Sequence, residues 1–176
     1  MKASGGEAMP EYQYGCVFCH SGDEGKVAEY IERNCAETEA LVAQRIKLKR
    51  IAGTIIEEIE TMFPGYVFFR MNDESIKEAD YLERTLNCKV LRYSGPNKEW
   101  RLQGGDKELA LKLYETKGLI RPIKARMINN RVEIVDTLFC GKKYEVVRAN
   151  HRARTVQIRI WILSREIIMW VNYKLV

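Results

Sequence analysis

The hydrophobic pattern of the first two thirds of the chain differs from that of the last third, and this difference limits the folds that are possible. Before residue 118, stretches in which apolar residues alternate, as in a strand, are followed by stretches with apolar residues three and four apart, as in a helix. From Val132 onward the pattern is that of short strands only. The sequence therefore predicts an α+β protein with two domains, a sandwich of sheet and helices followed by a small five-stranded β-barrel.

The first domain, predicted at residues 12–117, has its strands and helices in the order β, α, β, β, α, β. This is the order of a ferredoxin-like sandwich, in which helices cover one face of an antiparallel sheet. The local signals that predict these elements are a strand at 12–20, a capping box at 21–24, a hairpin at 40–51 and 54–56, a strand at 62–71, a second capping box at 75–78, and a helix at 106–117 that ends at Gly118.

A boundary between the two domains is predicted at residues 118–130. Residues 119–131 contain Pro122, three arginines and a lysine, and they show no strong period. We therefore expect a linker there and a barrel at 131–176. Residues 1–11 are expected to form a disordered or non-native tail. The predicted barrel strands have the sequences VEIV, YEVVRA, TVQIRIWIL, EIIMWVN and KLV.

The two parts of the chain differ in charge. Residues 1–117 contain 17 Lys and Arg against 20 Asp and Glu, whereas residues 118–176 contain 12 against 4. The net charges are therefore −3 and +8. A strongly basic domain favours a polyanionic partner, RNA or DNA. A merely soluble basic domain remains the alternative.

The sequence Cys16-x-x-Cys19-His20 has the spacing of a c-type haem attachment site. Alternation predicts a strand here, which places Cys16 and Cys19 on opposite faces, where they cannot share a ligand. The first residues also lack the apolar segment of a secretory signal, and no apolar run approaches the roughly 18 residues of a membrane span. We therefore expect a cytoplasmic protein with free thiols, no metal, no cofactor and no membrane partner.

Catalysis is not predicted. The chain has two histidines, and it has no motif that pairs a nucleophile with a base. The stretch Gly22–Val27 contains glycines and a lysine, but its spacing is not that of a phosphate-binding loop. No catalytic residue is assigned, and a binding protein that acts as a monomer is expected.

The stretch Met62–Phe68, MFPGYVF, resembles the L-F-P-G-Y-V-F signature of the NusG family of transcription elongation factors. The junction at 21–27 and the strands at 132–176 are similar to the family's first strand–helix junction and to its C-terminal KOW domain. Within the family, the basic second domain and the added helix look most like the specialised LoaP group. Tyr144 stands where a KOW domain usually has a glycine, which predicts a changed loop.

The resemblance implies that the N-terminal domain binds the clamp helices of RNA polymerase and favours continued elongation. Aromatic side chains on the sheet face that the helices leave bare would form the docking surface, because aromatic residues often dominate interface energies. The predicted polymerase-binding residues are Tyr14, Phe18, Phe63, Pro64, Tyr66, Phe68 and Tyr93.

For a LoaP-like protein, the resemblance implies binding of a structured RNA in the nascent transcript and resistance to termination. Arginine binds phosphate or guanine through two parallel hydrogen bonds, and tryptophan stacks on bases. In other family members the KOW domain binds proteins instead, such as Rho or a small-subunit ribosomal protein, and that alternative stays open. The predicted RNA-binding residues are Lys142, Lys143, Arg148, His151, Arg152, Arg154, Arg159 and Trp161.

Overall fold

The computed structural model describes residues 11–72, 78–86 and 88–176, with backbone alone at 78–80. In chain order the elements are β1 (Gln13–Phe18), α1 (Glu24–Asn34), β2 (Thr38–Leu41), β3 (Gln44–Ile51), β4 (Thr54–Thr61), β5 (Tyr66–Met71), α2 (Glu78–Thr85), β6 (Lys89–Val90), α3 (Gly104–Glu115), β7 (Leu119–Ile120), β8 (Ile123–Ile128), β9 (Arg131–Ile134), β10 (Tyr144–Asn150), β11 (Thr155–Ile162) and β12 (Arg165–Leu175). The predicted α+β class is confirmed. The predicted tail lies outside the described residues except for Glu11, and so do the first residues of the predicted capping box at 75–78.

A four-stranded antiparallel sheet forms the centre of the N-terminal domain. Its strand order is β2-β5-β1-β6, with Phe18 opposite Tyr66 across the β1–β5 pair. Because side chains alternate along these strands, one face carries Val17, Val67 and Phe69 and packs against α1 and α2. The other face carries Tyr14, Cys16, Tyr66 and Phe68; we call it the aromatic face.

The aromatic face is not bare. Leu109 and Leu113 of α3, together with Phe139 and Leu163 of the C-terminal domain, belong to the same buried apolar cluster as this face. The expectation that the helices leave this face of the sheet bare is therefore wrong in this conformation. The sequence pattern predicted which side chains share the face, but it contained no signal for the domain that covers them.

The C-terminal domain is a nearly closed five-stranded barrel with the order β10-β11-β12-β8-β9. Its centre contains Val156, Ile158, Ile160 and Ile162, which are fully buried as predicted. Tyr144 begins β10, and its hydroxyl donates to the Ile134 carbonyl oxygen of β9 at 3.1 Å. Tyr144 thus connects β9 and β10, the two strands at the open seam of the barrel.

The first strand of the barrel, β8, lies within the predicted linker. Residues 118–130 contain β7 and β8, and β8 pairs in parallel with β12, so that Ile123 lies opposite Tyr173. Ile123 and Ala125 are buried while Lys124 and Arg126 are exposed, a two-residue alternation that the charged residues obscured. The predicted final strand KLV is instead the continuation of β12. The number of barrel strands is as predicted, but two of the assignments were wrong.

A long hairpin made of β3 and β4 extends from the N-terminal domain. Its turn at Ala52-Gly53 has positive φ at both residues, as a tight hairpin turn requires. The hairpin was predicted, but the preceding stretch 40–51 divides into β2 and β3, and β3 also pairs in parallel with β7. The hairpin therefore connects the N-terminal domain to the segment that leads into the barrel.

The start of α1 is fastened by Glu24. Asp23 is the N-cap residue but makes no side-chain capping bond. The buried Glu24 carboxylate instead accepts from the Gly22 N–H at 2.8 Å and from the Gly65 N–H at 2.6 Å. The predicted capping box at 21–24 is therefore not formed, since the N-cap is Asp23 and not Ser21. Glu24 instead joins the helix to the Pro64-Gly65 turn that precedes β5.

We predict that Glu24→Ala lowers the free energy of unfolding by about 1–3 kcal/mol, because it leaves the buried Gly65 N–H without an acceptor. The measurement is urea unfolding of the full chain. Glu29→Ala is the matched control, since Glu29 lies on the same helix and is exposed in a surface pair with Arg33. We expect the control to change stability by less than about 0.5 kcal/mol. Equal effects of the two substitutions would contradict the role assigned to Glu24.

Candidate functional site

The side chains predicted to bind polymerase do come together on and beside the aromatic face. The Phe18 and Tyr66 rings meet edge to face with centroids 5.2 Å apart, and the Phe63 and Phe68 rings do so at 6.0 Å. These rings lie together because Phe18 is on β1, Tyr66 and Phe68 are on the adjacent strand β5, and Phe63 is in the turn before β5. The grouping inferred from the sequence is therefore reproduced in three dimensions.

Most of this group is inaccessible in the present conformation. Phe63 and Phe68 have no exposed surface, and Tyr14 and Tyr66 are 6% and 7% exposed. Phe18, at 37%, and Pro64 lie at the exposed edge of the group. A partner that binds this face must therefore displace what covers it.

Asp106, in the first turn of α3, is the main polar contact between the two domains. Its carboxylate accepts from the Tyr93 hydroxyl at 2.6 Å, from Lys142 Nζ at 2.5 Å and from the Leu163 N–H at 3.3 Å. Burial, helped by the hydrogen bond to Asp106, raises the pKa of Tyr93. The N-terminus of a helix also favours a carboxylate at this position.

Lys142 therefore takes part in domain docking in this conformation, and Tyr93 binds the same carboxylate from within the N-terminal domain. The Lys142 side chain is only 7% exposed, and its ammonium also donates to the Trp161 carbonyl oxygen. The prediction that Lys142 contacts RNA is not met here, because its charge is already paired with the partly buried carboxylate of Asp106. Sequence spacing could not reveal this pair, since 36 residues separate its members.

Two glycines bring the domains into backbone contact. A Cβ atom at Gly105, the second residue of α3, would lie 2.1 Å from the carbonyl oxygen of Gly141 in the turn before β10. A Cβ atom at Gly141, where φ is +75°, would lie 1.8 Å from Oε2 of Glu108. Only residues without a side chain fit this approach.

At the edge of the interface between the domains, the side chain of Arg165 lies over the ring of Phe18. Arg165, at the start of β12, places Cζ 4.9 Å from the centroid of the Phe18 ring. Burial raises the pKa of Tyr66, and the hydrogen bond and charge of Arg165 oppose that shift. Arg165 is therefore a contact of the aromatic group that the sequence did not suggest.

Four of the predicted RNA-binding residues surround the turn between β10 and β11. Arg148, His151, Arg152 and Arg154 are all exposed there. The turn is ordered by hydrogen bonds from the Ala153 N–H to Asn150 Oδ1 and from the Tyr173 N–H to the Arg154 carbonyl oxygen, both at 2.9 Å. These hydrogen bonds fix the backbone of the turn that carries the cationic side chains.

A second group of predicted residues lies on the outer face of β11. Lys143 Nζ lies 5.4 Å from the Trp161 ring centroid. Arg159 faces outward but forms ion pairs with Glu145 at 2.8 Å and Glu166 at 3.3 Å, so its charge is partly compensated. This face therefore offers an aromatic surface with a weaker positive field than the turn.

Trp170 was missed by sequence reasoning. It lies on β12 opposite Gln157, and Arg148 Cζ lies 5.0 Å from its ring centroid, within cation–π range. The signal was available, because Trp170 alternates with the buried Met169 and Val171. It extends the outer face toward the cationic turn.

The N-terminal thiols behave as small apolar side chains. Cys16 is fully buried on the aromatic face, and burial raises its pKa, while Cys19 belongs to the core beneath the helices. Across the described residues, no cluster of three histidine, cysteine, aspartate or glutamate side chains could hold a metal ion. In the same part of the chain, every helix is too short or too polar to cross a bilayer.

Comparisons with known proteins agree with this architecture. A family model described as "Transcription termination factor nusG" matches residues 13–99. No curated protein matches the chain. A solved structure described as "Domain interaction in Thermotoga maritima NusG" covers 92% of this chain and 94% of its own, with a TM-score of 0.51 and 19% sequence identity, which is a likeness of fold. Residues 13–99, which form most of the N-terminal domain, thus match the model of the NusG family of transcription factors.

Proposed function

We propose that this protein is an elongation and antitermination factor that binds RNA polymerase through its N-terminal domain and structured nascent RNA through its barrel. The observation that carries the proposal is a NusG-family domain joined to a barrel with arginines grouped around one ordered turn. It acts by binding, as a cytoplasmic monomer without a cofactor, and no residue is assigned a catalytic role. The LoaP-like group remains the proposed relationship.

Polymerase binding requires the domains to separate. The aromatic face is the proposed docking surface, and in the described conformation the barrel covers it. The structure from Thermotoga maritima is described by its domain interaction, which supports treating this contact as a state of the factor. The closed form is then unable to bind polymerase, and its population sets the apparent affinity.

RNA binding is supported by the chemistry of the barrel surface. Arg148, Arg152 and Arg154 supply planar forks suited to phosphate and guanine, while Trp161 and Trp170 supply rings on which unpaired bases stack. Single-stranded loops of a structured RNA present both groups together. The excess positive charge of the C-terminal part adds attraction at longer range.

A protein partner for the barrel is the second candidate. Ile168 and Val147 are 48% and 43% exposed on the same barrel, and the neighbouring Arg159 is partly neutralised by carboxylates. These features suit an apolar protein contact. Ionic strength separates the two candidates, because phosphate contacts weaken steeply with salt and apolar contacts do not.

We predict that Gly105→Ala increases retention of the full chain on immobilised RNA polymerase. The new methyl group meets the Gly141 backbone, and overpacking of this kind costs about 1–3 kcal/mol in the closed form alone. Gly25→Ala is the matched control, because Gly25 is also the second residue of a helix and a Cβ atom there has nothing within 4 Å. Equal retention of the two variants would argue against closure as the barrier to polymerase binding.

We predict that replacing Arg148, Arg152 and Arg154 together with alanine weakens RNA binding at least tenfold, which is a loss of about 1.4 kcal/mol or more in total, and makes its salt dependence shallower. The measurement is filter binding of a stem-loop RNA at two salt concentrations. A charge-matched control replaces the exposed Lys26, Arg33 and Arg84. If the triple variant bound RNA as tightly as the control, the turn would not belong to an RNA site.

A further inference from the structure

A groove runs between the N-terminal hairpin and the cationic turn of the barrel. One wall is the end of the hairpin, and the other is the β10–β11 turn. The residues that line it are Leu48, Lys49, Arg50, Ile55, Asn150, Arg152, Ala153 and Arg154. Neither domain forms this groove alone.

The two walls are held in a defined position. The Leu48 N–H of β3 donates to Oδ1 of Asn172 at 3.1 Å, and Asn172 is a buried residue of β12. The next residue, Tyr173, donates its N–H to the Arg154 carbonyl oxygen. Two successive residues of one barrel strand therefore fix the hairpin and the cationic turn against each other.

The groove is strongly basic. Four of its eight lining residues are cations and none is a carboxylate. Lys49 is paired with Glu58 at 2.6 Å, whereas Arg50, Arg152 and Arg154 form no ion pair with any residue that the structure describes. Three uncompensated arginines that converge from two domains form a phosphate-binding arrangement.

The hairpin also contributes an apolar surface. Leu48 and Ile55 lie on the same face of the hairpin as Arg50, since Arg50 is opposite Ile55 and Leu48 is two residues before Arg50. Ile55 is 59% exposed. Glu57, opposite Leu48, is the nearest carboxylate on this face and lies outside the groove lining. An apolar patch beside converging arginines suits a chain of phosphates that carries flat bases.

We propose that this groove is an RNA site shared by both domains, in which Arg50 of the hairpin and Arg152 and Arg154 of the barrel bind backbone phosphates and Leu48 and Ile55 contact a base. The inference rests on the proposed RNA-binding function and adds the N-terminal hairpin to it. Because residues of both domains line the groove, RNA that contacts both walls binds the closed conformation more tightly than the open one. By linkage, RNA then stabilises closure and polymerase docking opposes it.

The test compares Arg50→Ala, Arg50→Lys and Arg33→Ala in the full chain. Arg33 is the control because it is exposed on α1 and does not line the groove. The probe is a stem-loop RNA with a single-stranded loop, titrated at two salt concentrations. We expect Arg50→Ala to lose roughly fivefold in affinity and to reduce the salt slope by about 0.7–0.9, the value of one phosphate contact. Arg50→Lys keeps the charge and should keep the slope.

A second measurement uses Gly105→Ala, which loosens the closed form without touching the groove. The shared site predicts that this variant binds the stem-loop RNA several-fold more weakly than Gly25→Ala. An unchanged affinity of Arg50→Ala, together with a weakened Arg148, Arg152 and Arg154 variant, would overturn the shared groove and leave RNA binding to the barrel intact. Unchanged affinity of both would overturn the proposed RNA function as well.

Discussion

The covering of the aromatic face determines the arrangement of the rest of the molecule. A sheet with large rings on both faces needs two apolar partners, and here the helices α1 and α2 supply one while α3 and the barrel supply the other. Each ring removed from water contributes about 1.5–3 kcal/mol. Because the barrel occupies this position, the outer face of β11 and the cationic turn point to solvent, and the hairpin lies beside the turn.

The polar contacts at the same interface make the docking specific. Asp106 receives three donors, two of them from the barrel, and its partly buried carboxylate would lose these hydrogen bonds if the domains moved apart in another way. A buried ion pair adds little net stability, since desolvation offsets much of the attraction. The close approach of Gly105 to Gly141 adds steric specificity, because the two domains fit together only where these two residues without side chains face each other. A contact of this composition suits two domains that can also separate.

The proposed functions place opposite demands on this contact. Polymerase docking requires an exposed aromatic face, whereas the groove between hairpin and turn exists only while the face is covered. Lys142, one of the cations predicted to bind RNA, is instead part of the domain interface, because it is paired with Asp106. Competition between two ligands for two conformations of one chain would couple RNA recognition to polymerase binding.

The sequence by itself determined the α+β class, the hairpin, the alternation that buries Val156, Ile158, Ile160 and Ile162, and the grouping of the aromatic residues. These features follow from local periodicity and turn residues, which act over a few positions. Only the tertiary structure decided that the aromatic face is covered, that residues 123–128 form a barrel strand, that Lys142 is paired, and that Arg50 lies near Arg152 and Arg154. Each of these depends on residues far apart in the chain, whose proximity arises from burial of shared apolar surface and leaves no pattern in either segment alone.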